Sequence, residues 1–189
     1  FTGYPIWFGF FGMWGAIAGA DRDTSMLMFP QVTVLDLIIS NFVLEFATAT
    51  VVYLIMVVGV ILIGRAQPPD DMMGLMFAFC ACVWLGGAVG LTICSLKRFV
   101  PMIEQWMTPV RRMGIFISGV IFTAASLPSW MLPYVSWNPL FRAIEGARVC
   151  WYPSYQSPIA DPGYVFLIGF CFTAFGIVAE RLTRRYSTE

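Results

Sequence analysis

Histidine is missing from this sequence, and charge of either sign is scarce: 11 Lys and Arg and 11 Asp and Glu make up 12% of 189 residues. With no histidine, and with no second ligand pair near Cys80-Ala-Cys82, a zinc or iron–sulfur centre is not expected. There is no GxxxxGK[ST] phosphate loop, and Gly64-Arg65-Ala66-Gln67 does not fit one, so the chain is not expected to hydrolyse ATP alone. The basic residues gather into no single large face, which argues against nucleic acid as a partner. Catalysis within a bilayer needs paired carboxylates, a metal cluster or a nucleophile with its base. The apolar stretches offer essentially Glu45 alone, while Asp21 and Asp23 fall at a membrane edge, so a membrane hydrolase or glycosyltransferase is disfavoured. Of the five cysteines, Cys80, Cys82, Cys94 and Cys171 lie in apolar stretches and read as small hydrophobes rather than a disulfide framework.

What is present is hydrophobic sequence in long blocks. Hydrophobic residues make up 59% of the chain, and its mean hydropathy of +0.77 lies outside the usual range of a soluble domain. These values predict an all-α polytopic membrane protein, in which the bilayer covers much of the apolar surface. Five spans are expected, at residues 4–20, 34–64, 73–96, 113–127 and 163–180. Thr33 and Asp36 have capping-box spacing for the second, and Thr108-Pro109 and Asp161-Pro162 read as N-cap and first helical position of the last two. Small-xxx-small spacing at Gly15/Gly19 and Gly86/Gly90 allows close helix approach.

Alternate connections hold Lys and Arg unequally. Arg22, Lys97, Arg98, Arg111, Arg112, Arg181, Arg184 and Arg185 fall on one side, against Arg65, Arg142 and Arg148 on the other, which predicts that the first side is cytoplasmic. The first visible span then runs inward. No signal peptide is read before it, and a cytoplasmic N-terminus is expected to require a further span before Phe1, giving six.

Three features carry functional readings. The cytoplasmic segment 21–36, "DRDTSMLMFPQVTVLD", sets Met26, Leu27, Met28 and Phe29 before Pro30, either a docking surface or an interfacial helix. Trp7, Phe8, Phe10, Phe11 and Trp14 crowd the first span and Phe116 and Phe122 the fourth; such rings stack on sugar C–H faces or simply pack. In the outer segment 128–162, Asn138 caps and Pro139 starts a short helix, with Leu140, Phe141, Ile144 and Trp151 on one face. Arg142, Glu145 and Arg148 occupy another face at i, i+3 and i+6. Trp130, Tyr134, Trp137, Trp151 and Tyr152 supply an aromatic belt. The segment is a headgroup anchor or a lid over a pathway. Glu45 is open to snorkelling, pairing or contact with a coupling partner.

At "MLMFPQVTVLDLIISNFVLE" (26–45) and "LPYVSWNPLFRAIEGAR" (132–148) the chain resembles the membrane permease subunits of ABC-2 type capsular polysaccharide exporters of Gram-negative bacteria, the group 2 capsule type. The resemblance implies a single ABC-2 type transmembrane domain over residues 1–189, with an N-terminal interfacial helix and first span upstream. It implies a homodimer in the inner membrane, docked on two ATPase subunits that bind the ATP and Mg, with no cofactor on this chain. Lipid-linked polysaccharide is the implied substrate, and a periplasmic adaptor (a polysaccharide co-polymerase) and an outer-membrane export protein are further partners. On this reading Arg22, Asp23, Met28, Phe29, Pro30 and Asp36 belong to the ATPase-coupling region. Trp7, Phe10, Phe11, Trp14, Phe116 and Phe122 are candidates for the glycan pathway. Trp130, Trp137, Asn138, Pro139, Arg142, Glu145 and Arg148 form the outer segment, as short surface or re-entrant helices before the last span. The competing expectations are an ABC-2 permease for O-antigen, teichoic acid, a lipid or a drug, or a passive channel or scaffold.

Overall fold

Apolar runs with little interior proline can satisfy their backbone hydrogen bonds in lipid only as helices, and the computed structural model is all-helical among the residues it describes, 2–20, 34–64, 67–100 and 102–186. Five long helices are α1 (Gly3–Ala18), α2 (Val34–Leu62), α3 (Met72–Leu96), α4 (Ile103–Ile117) and α7 (Pro162–Tyr186). Between α4 and α7 come a 3-10 turn (Ala124–Ser126) and the short helices α5 (Leu132–Val135) and α6 (Pro139–Trp151).

Helix α3 is the central element, packed between α1 and α7 and touching α6 at its start. Its glycines set the distance to α1. A Cβ on Gly86 would stand 2.5 Å from the Phe10 carbonyl oxygen, and one on Gly90 would stand 2.9 Å from Ile17, so the two backbones meet where the small-residue spacing predicts. On the opposite face, hydroxyls tie α3 to α7: Thr92 Oγ1 lies 3.0 Å from the Phe172 carbonyl and Ser95 Oγ 3.1 Å from that of Gly176. A hydroxyl shared with a neighbouring helix supplies polar attraction where lipid offers no hydrophobic drive between helices.

The helices alternate in direction. The start of α1 meets Ile144 and Arg148 of α6, the start of α3 is held by a hydrogen bond from Asp71 N to the Cys150 carbonyl (3.1 Å), and the end of α2 borders Tyr4 and Trp151. At the other end of the bundle, Lys97 Nζ donates to the Ala18 carbonyl, joining the ends of α3 and α1. Side chains cap three starts, at Asn138 and Asp161 as the sequence predicts and at Asp71 without such a prediction. Asp71 accepts from Gly74 N (2.9 Å), Asn138 Oδ1 from Leu140 N (3.0 Å), and Asp161 from Tyr164 N (3.2 Å).

The five expected spans are met in part. Leu35–Leu62, Met72–Leu96 and Pro162–Leu182 are long and apolar enough to cross a bilayer among the described residues. At 16 residues α1 is about 24 Å long, short of the ~30 Å hydrocarbon core, and it is packed among α2, α3 and α6. The fourth expectation is displaced. Helix α4 starts ten residues before 113, carries Glu104, Arg111 and Arg112, has Pro109 inside it rather than at its start, buries no residue and ends at Ile117. Residues 118–123 then run without helix through Gly119 at φ +75°.

Candidate functional site

The carbonyls just past the end of α4 find their donor on α6. The Arg148 guanidinium reaches back from α6 and donates to the carbonyls of Gly119 (2.6 Å), Val120 (3.3 Å) and Phe122 (2.9 Å), which thereby take a side-chain donor in place of helical amides. The same guanidinium pairs with Glu145 Oε1 at 2.6 Å. Glu145 completes the arrangement by accepting from Ala124 N (3.2 Å) through Oε1 and from the Tyr155 hydroxyl (2.6 Å) through Oε2. Burial and the bond to Glu145 push the Tyr155 phenol above its usual pKa. An ion pair closed off from water survives only when its remaining donors and acceptors are met, and here both carboxylate oxygens and both terminal guanidinium nitrogens have partners. The result is a clamp that fixes the end of α4, residues 119–124, α6 and the segment after it as one body.

A second set of polar contacts holds this body to α7. Arg142 Nε donates to the Ser136 carbonyl (2.6 Å), its guanidinium lies 4.1 Å from the centre of the Tyr164 ring, and Asp161 stands 3.8 Å away. Tyr164 donates in turn to the Trp137 carbonyl (3.2 Å), and Asn138 Nδ2 donates to the Ile117 carbonyl (3.2 Å).

Charge also enters the bundle beside α1. A Cβ on Gly12 would meet Glu45 Oε1 at 2.6 Å, and one on Gly15 would meet Arg111 Nη1 at 3.1 Å. One glycine-bearing face of α1 therefore carries an α2 carboxylate and an α4 guanidinium a turn apart. Along the same helix Trp7, Phe11 and Trp14 form a ladder with ring centres 5.0 Å apart at each step. The Nε1 donors of Trp7 and Trp14 are buried without an acceptor among the described residues.

A model of the ABC-2 type transporter family matches residues 6–152, from the first turn of α1 to the end of α6. The chain belongs to the ABC-2 type transporter family. Its curated relatives include the capsule polysaccharide export inner-membrane protein CtrC of Neisseria meningitidis serogroup A, 28% identical over 182 residues, or 93% of this chain and 67% of the relative. The protein of the same description, BexB, from Haemophilus influenzae is 24% identical over 94% of this chain and 67% of its own length. The polysialic acid transport protein KpsM of Escherichia coli is 22% identical over 88% of this chain and 64% of its own. The chain thus spans about two thirds of the length of these relatives. An ABC-2 membrane subunit with relatives named as inner-membrane proteins, and with three helices apolar enough to cross, is an inner-membrane protein.

For this ABC-2 subunit the residues singled out by sequence fall into separate groups. Arg22, Asp23, Met28, Phe29 and Pro30 lie outside the described residues; Asp36 sits exposed in the first turn of α2. The six aromatics proposed for a glycan pathway do not share a surface. Phe10, Phe11 and Trp14 are in the core, Trp7 packs against it, Phe116 is exposed on α4, and Phe122 leans on Phe141 with ring centres 5.8 Å apart. Trp130 and Trp137 are exposed as a belt requires, whereas Trp151 is a core residue because it closes the face of α6 that meets the bundle. That face is wider than the sequence implies. Glu145 and Arg148 are buried along with Leu140, Phe141 and Ile144, so the row of three charges does not form an outward face. Arg142 alone of the three stays partly exposed. Sequence reasoning missed Arg111 and Tyr155. The spacing of glycines 12 and 15 could have flagged a charged neighbour on α1, but Tyr155 carries no local signal.

Proposed function

We propose that this chain is the permease subunit of an ATP-driven exporter that moves lipid-linked capsular polysaccharide out across the inner membrane. Two copies would form the channel, and two ATPase subunits would bind the nucleotide and Mg beneath it. The observation that carries the reading is similarity along nearly the whole chain to inner-membrane proteins named for capsule polysaccharide export. The lack of a phosphate loop agrees with ATP hydrolysis on a separate subunit.

The geometry supports a division of labour. The segment 21–36 joins α1 to α2, and closure of the ATPases against it would move both helices together. The opposite end, held by Glu145, Arg148 and Tyr155, resists deformation, so motion of α1 and α2 is delivered against a fixed outer body. Glu45 of α2 and Arg111 of α4 meet the face of α1 between these ends, where sliding of α1 against α2 and α4 would change their separation.

The test is complementation. A capsule-export-deficient strain lacking its own permease is given the full-length gene, and surface polysaccharide is measured against the intracellular pool. Restored surface capsule supports the reading. Intracellular accumulation despite correct insertion and ATPase binding assigns the subunit to another substrate.

A further inference from the structure

At the end of the bundle where α1 ends and α2 begins, a groove of about 390 Å³ opens between α1, α2, α3 and α7. Ile17, Ile38, Phe42, Leu91 and Ile177 give it an apolar wall, and Phe42 stands edge-on to Trp84 with ring centres 6.0 Å apart. The Thr173 hydroxyl in the wall already donates its one proton to the Gly169 carbonyl (2.8 Å). Ile39 on α2 and Ile177 on α7 are exposed at its edges, and among the described residues nothing closes the groove. Among the described residues one charge lines it. Arg181 follows Ile177 by one turn on α7, at the end of that helix's apolar stretch. Its side chain is exposed, and no acidic partner among the described residues pairs with it.

An apolar slot with a guanidinium at its mouth has the shape and charge order of a phospholipid: tail within the bundle, phosphate at the surface. We infer that this groove binds one acyl chain of an anionic phospholipid of the surrounding leaflet, with the headgroup phosphate on Arg181. The groove touches both ends of the connection 21–33, through Ile17 and Leu35, so an inserted tail buttresses the place where α1 and α2 must move together. The site is independent of the polysaccharide reading. It requires only that the chain lies in a membrane.

The experiment uses the purified full-length permease, incubated in detergent with defined phosphatidylglycerol or phosphatidylcholine, and native mass spectrometry to count retained lipid. The wild type is expected to keep about one phosphatidylglycerol per chain in preference to phosphatidylcholine. Arg181→Glu lowers that preference by about fivefold, Arg181→Lys keeps most of it, and Ala88→Phe, which fills the groove, lowers retention of both lipids. Monodisperse elution of each variant shows that it is folded. Equal retention of the two lipids, or an Arg181→Glu variant that binds as the wild type does, overturns the site. So does efficient cross-linking between cysteines placed at Met28 and Ile177 in lipid-filled membranes, because the groove would then be occupied by the chain's own connection.

Discussion

Arg148 and Glu145, one turn apart on α6, pair at 2.6 Å, and the Glu145 side chain is wholly shut off from solvent. Because the guanidinium also binds three carbonyls of residues 119–122, the pair acts across the fold rather than within one helix. Removing one partner leaves a buried charge without compensation. Glu145→Ala or Arg148→Ala is expected to cost about 3–5 kcal/mol, and the double variant less than the sum of the two. Denaturation in mixed micelles checks this; additive losses would mean that the two residues act separately.

Tyr155 gives the clamp a pH dependence. Its phenol is held above the usual pKa of about 10 by burial and by the bond to Glu145. A raised value means that the folded state holds the proton more tightly, so this stabilisation is complete below about pH 10 and is lost as pH rises through the folded value. Tyr155→Phe should cost about 2 kcal/mol at neutral pH and bring a shallower alkaline fall than the wild type shows. Parallel alkaline limbs for the two proteins would place the titrating group elsewhere.

The glycines separate by what surrounds them. Gly86→Ala drives a methyl against the Phe10 backbone, which cannot step aside, and should cost about 1–3 kcal/mol. Gly119→Ala is worse placed, combining φ +75° with the Phe141 ring at the Cβ position. Gly59 has nothing within 4 Å of such a Cβ, so Gly59→Ala should leave stability unchanged or slightly raised. Melting temperatures of the three variants in one detergent test the order.

Coupling gives a functional prediction. Phe29→Asp, in the connection between α1 and α2, should leave insertion intact and permit ATP hydrolysis while surface capsule falls at least tenfold. Flow cytometry with a capsule-specific probe, beside ATPase assays, measures both. Normal capsule on such cells would remove this segment as the transmission element.

Class and local starts were legible in the sequence. Hydropathy marked α2, α3 and α7, and Asn138-Pro139 and Asp161-Pro162 started their helices because caps are local chemistry. Gly86 and Gly90 announced a close approach without naming α1 as the partner. What escaped depends on contacts distant in sequence. The apolar run at 113–127 reads as a helix until Arg148 takes its carbonyls, and the charged row of α6 reads as an outer face until Tyr155 and Ala124 supply the bonds that let it be buried. The aromatics of α1 were readable as a cluster, but which side they face is set by α3.

The central claim is polysaccharide export driven by a partner ATPase, and its most direct measurement is hydrolysis by the co-purified complex of full-length permease and ATPase, with and without lipid-linked capsular glycan. The account predicts a stable complex of two copies of each subunit whose ATP turnover rises several-fold with the glycan. A stable complex whose turnover ignores the glycan would contradict it.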